Sequence, residues 1–277
     1  MSFDDVIIKG GLGNQLFCLF YANKLLLQKN KVSLNLVNYS LFKKNKRQFV
    51  LDKLSPNINN IFNLKNGYKS YFLFLYSKIL ENFFIKLEEG RLPGDKSFLK
   101  RYWPNCYVHS GYFQKITNSN LDQKSLNLTR DQISPFLNDY KSQFLAIHVR
   151  RGDYLIKKHI MHGIISQRYL VEEAKKQISK IDFDGIRIFS DSPELIDFNV
   201  FKNLHKNVKI DEGGDPVDVF KRMTNHKGLI ASNSSFSLWA GILGRIKYFS
   251  IPYFWMKNVK SSIIGLEHIP RYKCELK

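Results

Sequence analysis

The stretch "VIIKGGLGNQLFCLFYANKLLLQKNKVSLNLV" (residues 6–37) decides the architecture. It opens with a short apolar strand, Val6–Ile8, and turns on a glycine cluster at 10–13. A helix is expected from about Asn14 to Lys29, and "KVSLNLV" (31–37) reads as a second strand. Strand, glycine turn, helix and strand begin a βαβ unit, whose default is a parallel sheet. The second half repeats this logic. "QFLAIHV" (143–149), "GIRIFSD" (185–191), "VKI" (208–210), "KGLIASN" (227–233) and "IKYFSIP" (246–252) read as strands, the last closing the sheet. Between them lie expected helices at 166–180, from 193, at 215–226 and at 234–244. Such alternation is the signature of a doubly wound α/β domain. The 277 residues suit two domains of about 130 residues each. The boundary is expected near Lys141, giving 1–140 and 141–277.

Composition excludes more than it selects. Forty-three Lys and Arg against 24 Asp and Glu leave a formal charge of +19. That balance favours anionic partners such as a nucleotide or an acidic membrane surface. The aromatics sit mostly in apolar periodic runs rather than among clustered cations, which argues against nucleic acid. Cys18, Cys106 and Cys274 form no C-x-x-C pair and no zinc spacing. The start "MSFDDVIIKGG" does not read as a signal peptide, so none is expected. The most apolar stretch, "YFLFLYSKILENFFI" (71–85), carries Lys78 and Glu81 and is too short to span a bilayer. Its spacing is that of a buried or interface helix. A cytoplasmic enzyme is expected, with peripheral association to the anionic inner face of a membrane left open. "KKNKR" (43–47) reads as a solvated loop.

Three polar strand ends collect on one edge of the second half. In "AIHVRRGDYL" (146–155), Arg150 and Arg151 follow a buried strand, and alternation sends their side chains different ways. One faces a ligand and the other pairs with a carboxylate behind it. A guanidinium at the carboxyl end of a parallel strand suits a diphosphate. "FSDSPE" (189–194) places Asp191 where it could hold a ribose or a guanine edge, or cap the turn that Pro193 starts. In "SNSSFSLWA" (232–240), Ser234 and Ser235 stand at a helix N-terminus, an anion site. At the first glycine turn, Asn14 and Gln15 stand at the helix start, where side-chain amides and free N–H groups are expected to face a ligand. There the G-x-G-x-x-G pattern fails at Leu16, which disfavours NAD. "DFD" (182–184) lies before its strand, on the wrong edge for a metal site.

"GGLGNQLF", "HVRRGDY", "FSDSPE" and "SNSSFSLWA", in this order, resemble the α-1,2-fucosyltransferases of glycosyltransferase family 11. The H-x-R-R-x-D element is shared with α-1,6- and protein O-fucosyltransferases. The resemblance implies a GT-B fold: two Rossmann-like domains with a cleft between them, and a last helix that may cross back to the first. It implies GDP-β-L-fucose on the C-terminal half and most of the acceptor on the N-terminal half. The acceptor would be a galactose-containing oligosaccharide or lipid-linked glycan, as in surface polysaccharide or O-antigen synthesis. The reaction would be inverting, with no metal or other cofactor. By motif, Arg150 grips the β-phosphate and Arg151 is a scaffold. Ser234, Ser235 and Phe236 meet phosphate and nucleoside, and Asp218 reads guanine or ribose. Gly11, Asn14, His148, Ser190, Asp191 and Asn233 complete the implied donor site. Asp153 and His162 are the candidate general bases. Linkage is left to the first-half loops, with an α-1,6-like transfer as the alternative.

Overall fold

Two aspartates open the first strand, where the sequence suggests a strand beginning only at Val6. The computed structural model describes residues 3–40, 47–65, 71, 98–103, 106–137, 142–155, 161–261 and 265–277. In it, β1 runs Phe3–Ile7 with Asp4 and Asp5 both buried. A buried carboxylate is tolerated only when paired and hydrogen-bonded, and both are. His109 bridges Asp4 Oδ1, 2.7 Å from its Nε2, and the Tyr21 hydroxyl, 2.9 Å from its Nδ1. Asp5, facing the other way, accepts from the Ser33 hydroxyl and from Asn35 Nδ2 (2.8 Å), with Lys65 Nζ at 3.3 Å. All but Tyr71 of the expected apolar helix at 71–85 and most of "KKNKR" lie outside the described residues.

The chain divides into two compact units, 1–136 with 263–265, and 137–262 with 266–277. In the first, α1 (Leu12–Leu27) follows β1, and β2 (Lys31–Asn35) and β3 (Asn63–Lys65) extend the sheet to one side. On the other side lie β5 (Cys106–Ser110) and antiparallel β4 (Phe98–Trp103), giving the order β3-β2-β1-β5-β4. The sequence runs β1, β2, β3 outward and then returns to β1's other side, so the switch point lies between β1 and β5. Helix α1 is buried almost all round because α2 (Asn120–Ile133) packs against it. Asn23 of α1 is held by Thr129 and Gln132 of α2, each at 2.9 Å.

The second unit carries β6 (Ser142–Val149), β7 (Ile186–Ser190), β8 (Val208–Ile210), β9 (His226–Ile230) and β10 (Tyr248–Pro252). A sixth strand, β13 (Arg271–Tyr272), follows the hairpin of β11 (Phe254–Met256) and β12 (Val259–Lys260). All six strands of the sheet β13-β10-β9-β6-β7-β8 are parallel. Read from the far edge, this is the doubly wound 3-2-1-4-5-6 order, with its switch point between β6 and β9. Helices α3 (Gln167–Ile178), α4 (Pro216–Thr224) and α5 (Ser235–Leu243) supply crossovers. Leu145, Ile147 and Val149 of β6 form a core with Ile186, Ile188, Ile230 and with Leu170 and Ala174 of α3. Apolar character on both faces is what a parallel strand covered by helices requires.

Two expectations are corrected. "IKYFSIP" does not close the sheet, because β13 pairs beyond it. In the final described segment the chain is extended rather than helical. Tyr272 and Cys274 are buried between outward-facing neighbours, a period of two that only a strand presents. Tyr272 also donates its hydroxyl to the Ala231 carbonyl at 2.7 Å, which fixes this segment on the second sheet.

Candidate active site

At the β6/β9 switch point the strand register brings the predicted motifs together. Val149 of β6 pairs with Ser190 of β7, and Ile147 with Ile230 of β9. The residues that follow these strand ends, Arg150, Asp191 and Ser232–Ser234, therefore lie on one edge. The alternation of β6 sorts the arginines. Arg150 shares the parity of Ala146 and His148, and Arg151 that of Leu145, Ile147 and Val149.

Arg150 is the paired one. Its Nη2 donates to Asp153 Oδ1 at 2.5 Å and its Nη1 lies 3.1 Å from Asp191 Oδ2. Its Cζ lies 5.2 Å from the centroid of the Tyr154 ring. Burial works against its charge, but Asp191 and then Asp153 more than offset it and raise its pKa. Its Nε–H is buried without a hydrogen-bond acceptor.

Arg151 is 8% exposed and has no carboxylate ion pair among the described residues. Of the two arginines, the one that pairs with carboxylates is therefore Arg150. The Arg151 backbone N–H, not its guanidinium, takes Asp191 Oδ1 (2.9 Å), while Nη1 donates to the Arg150 carbonyl (2.8 Å). Burial lowers its pKa, partly countered by Asp191. Arg151 lines a cavity of about 580 Å³ with Ile164, Ser166, Val171 and Val200, at the start of α3.

Asp191 neither caps the turn after it nor stands free. It ties Arg150 and the Arg151 backbone together, and Gly152 makes room for it. A Cβ at 152 would lie 2.0 Å from Asp191 Oδ2. Ser190 accepts from the Ser192 N–H at 3.1 Å.

His148 lies inside the scaffold at 3% exposure, its Nδ1 2.7 Å from Ser232 Oγ and 2.9 Å from Ser237 Oγ. Burial, and then the Arg150 charge, push its pKa down to about 3, so the ring is neutral. It joins β6 to the chain that enters α5. Asn233 is buried too. Its Nδ2 donates to the carbonyls of His162 (2.8 Å), Gly163 (3.2 Å) and Trp255 (3.3 Å). It fixes the 162–163 turn against the switch point.

Ser234 is the N-cap of α5 but its side chain caps nothing, and no acidic residue stands in the first turn. A helix N-terminus with no side-chain cap and no first-turn carboxylate suits an anion. Ser235 and Phe236 follow, and Phe236 meets Phe220 of α4 edge-on at 5.4 Å. Asp218, in the first turn of α4, is exposed.

Tyr154 is the residue that sequence reasoning missed. Besides lying beside Arg150, it stacks on His162 (4.6 Å, 13°) and donates to the Asn233 carbonyl at 2.9 Å. It thereby connects Arg150 to His162, and its place directly after R-R-G-D was the available signal.

In the first unit, the β1/β5 switch point carries the glycine turn. Gly10 has φ +80°, and a Cβ there would meet Asn14 Nδ2 at 2.7 Å. Asn14 Oδ1 accepts from Gln114 Nε2 at 2.7 Å, and Gln114 comes from the chain leaving β5. Beside Gly11, an added Cβ would lie 3.1 Å from Arg47 Nη1. Gln15, expected to face a ligand, is fully buried. It ties Gly10 to the Gln48 and Val50 backbone at 2.8–3.1 Å. "DFD" lies in the turn before β7, with Phe183 in the core beneath Gly228.

Two Rossmann-like sheets, each with a helix opening at its switch point, make a GT-B-like α/β fold, and an arginine stands at one of the two switch points. The model of "Glycosyl transferase family 11" matches residues 5–257, and the chain belongs to that family of fucosyltransferases. The solved structures similar to it include POFUT1 in complex with GDP-fucose (13% identity, 87% of this chain, 94% of that chain, TM-score 0.43). They also include the E. coli heptosyltransferase WaaC with ADP (8% identity, 98% and 93% covered, TM-score 0.49). An Arabidopsis thaliana FUT1 variant in complex with GDP is similar over 98% of this chain and 73% of its own (11% identity, TM-score 0.40). No curated protein matches the sequence.

Proposed function

We propose that the chain transfers L-fucose from GDP-β-L-fucose to the 2-hydroxyl of a terminal β-galactoside, with inversion and without a divalent metal. The observation that carries this is Arg150 at the end of β6, the strand paired with β9, whose chain leads into the uncapped N-terminus of α5. That pair is a site for a diphosphate. As the C1–O bond to GDP breaks, charge develops on the β-phosphate. Arg150 and the helix N–H groups stabilise it, an electrostatic effect worth about 3 kcal/mol per well-placed donor. They supply the positive charge for which other transferases recruit a cation. Asp218 reads the guanine or ribose.

The acceptor hydroxyl attacks the opposite face of C1, and its proton passes to Asp153 or His162. The acceptor lies against the first unit, near the Asn14–Gln114 pair. Its natural form is a glycan assembled on a lipid for a cell-surface polysaccharide. The test is product analysis after incubating the enzyme with GDP-fucose, a panel of galactosides and EDTA. An α-linked fucose on O2 of galactose is expected. A different linked position rejects the linkage, and activity only after a divalent ion is restored rejects metal independence.

A further inference from the structure

Arg151 is a cation taken out of water without an anion of its own. It is 8% exposed, and among the described residues its guanidinium makes one hydrogen bond, from Nη1 to the Arg150 carbonyl. Asp191, the carboxylate that acts on it, has both oxygens engaged. Oδ1 takes the Arg151 backbone N–H at 2.9 Å, and Oδ2 lies 3.1 Å from Arg150 Nη1. A guanidinium is a fork of donors, and a buried charge is ordinarily paired. The Nε and Nη2 donors of Arg151 meet no acceptor among the described residues, yet neither atom is sealed from solvent. They open on what little accessible surface the residue keeps.

That surface belongs to a cavity. Arg151 continues the parity of Leu145, Ile147 and Val149, which pack with Leu170 and Ala174, so its side chain lies on the α3 side of the sheet. There it meets the start of α3 across the cavity of about 580 Å³. Two reciprocal clamps hold the walls. Ile164 and Lys277 exchange backbone hydrogen bonds at 3.1 Å each. Gln167 Nε2 donates to the Asp197 carbonyl at 2.8 Å, and Gln167 Oε1 accepts the Asp197 N–H at 3.1 Å. Of the charged residues on the wall, Arg168, Asp197 and Lys277 are exposed, and Arg168 is engaged by Glu172 at 2.8 Å. Arg151 alone is buried. Ser166, the N-cap of α3, caps nothing with its side chain, and the first turn holds no acidic residue. A hydroxyl, first-turn N–H groups and a buried guanidinium thus border one space, and together they suit an oxyanion.

We propose that this cavity is a phosphate-binding site separate from the donor site, where Arg151 and the start of α3 hold inorganic phosphate or the phosphate group of a small monoester. Arg150, of opposite parity, takes no part in it. Ile164, Val171 and Val200 give the wall an apolar side for the carbon chain of an ester. The site does not depend on the GDP-fucose reading.

The test is calorimetric titration of inorganic phosphate and of hexyl phosphate into the wild type with saturating GDP, and into Arg150→Ala without it. Both proteins are expected to bind phosphate saturably. Tighter binding of hexyl phosphate identifies a monoester as the ligand, and equal binding identifies free phosphate. Arg151→Gln and Ser166→Asp are expected to weaken binding at least tenfold, with folding followed by thermal melting. Aspartate is a good N-cap and its charge suits a helix start, so lost binding in Ser166→Asp is not a folding defect. Phosphate that GDP displaces completely, or that both cavity variants bind as well as the wild type, overturns the site. A wild type that binds phosphate but no GDP overturns the donor reading and leaves this site standing.

Discussion

Arg150 and Arg151 are neighbours with opposite surroundings. Arg150 is held by two carboxylates and an aromatic ring, while Arg151 is buried over a cavity with no carboxylate pair among the described residues. Arg150→Ala is therefore expected to lower kcat by at least 100-fold, about 3 kcal/mol of lost transition-state stabilisation. Arg151→Lys keeps the charge and is expected to lose less than tenfold, as steady-state kinetics on both proteins will show. Gly152→Ala forces its Cβ into Asp191. It is expected to cut activity more than tenfold while the protein remains folded, checked by assay beside circular dichroism.

His148 makes a different prediction. Its pKa is about 3 when folded against an ordinary 6.5. Between those values the unfolded chain binds a proton there and the folded chain does not. Stability is therefore full above about pH 7 and falls as pH falls through 6.5 toward 3. His226, lowered to about 4 by burial and then by Arg187, acts in the same direction. Melting temperatures are expected to drop from pH 7 to pH 5, and less steeply in His148→Gln.

At the scale of elements, most helices and strands of the second unit were legible because their periods are clean. β8 falls on the expected 208–210, and β6, α3, α4 and α5 lie within two residues of expectation. β1 was legible only in part. Asp4 and Asp5 look like a solvated terminus until His109, some hundred residues away, and Asn35 are known to pair with them. β13 was missed because two residues in a Pro- and Lys-containing tail carry too little pattern. Within the site, the motifs showed which residues gather at the switch point. They did not show that His148 and Asn233 face inward or that Asp191 serves the arginines, because hydrogen-bond partners come from other strands. A consequence for β1 can be measured. Asp5→Ala removes the carboxylate shared by Lys65, Ser33 and Asn35 and is expected to destabilise the first unit by about 3 kcal/mol, read by chemical denaturation.

For the whole molecule, the charge of +19 is not absorbed by the site. No helix among the described residues is long and apolar enough to cross a membrane. If the charge holds the enzyme beside lipid-linked acceptors, vesicles rich in anionic lipid are expected to retain it at physiological salt and release it at about 1 M. Neutral vesicles are expected not to bind. The central claim, however, is that the β6/β9 switch point was built for the diphosphate of GDP-fucose. It is tested most directly by calorimetric titration of the wild-type protein with GDP-fucose in EDTA, with GDP-mannose, UDP-galactose and NAD as comparators. Saturable binding of GDP-fucose, far tighter than of the other three and abolished in Arg150→Ala, is the predicted result. Equal or absent binding of all four, or undiminished binding by Arg150→Ala, contradicts the account.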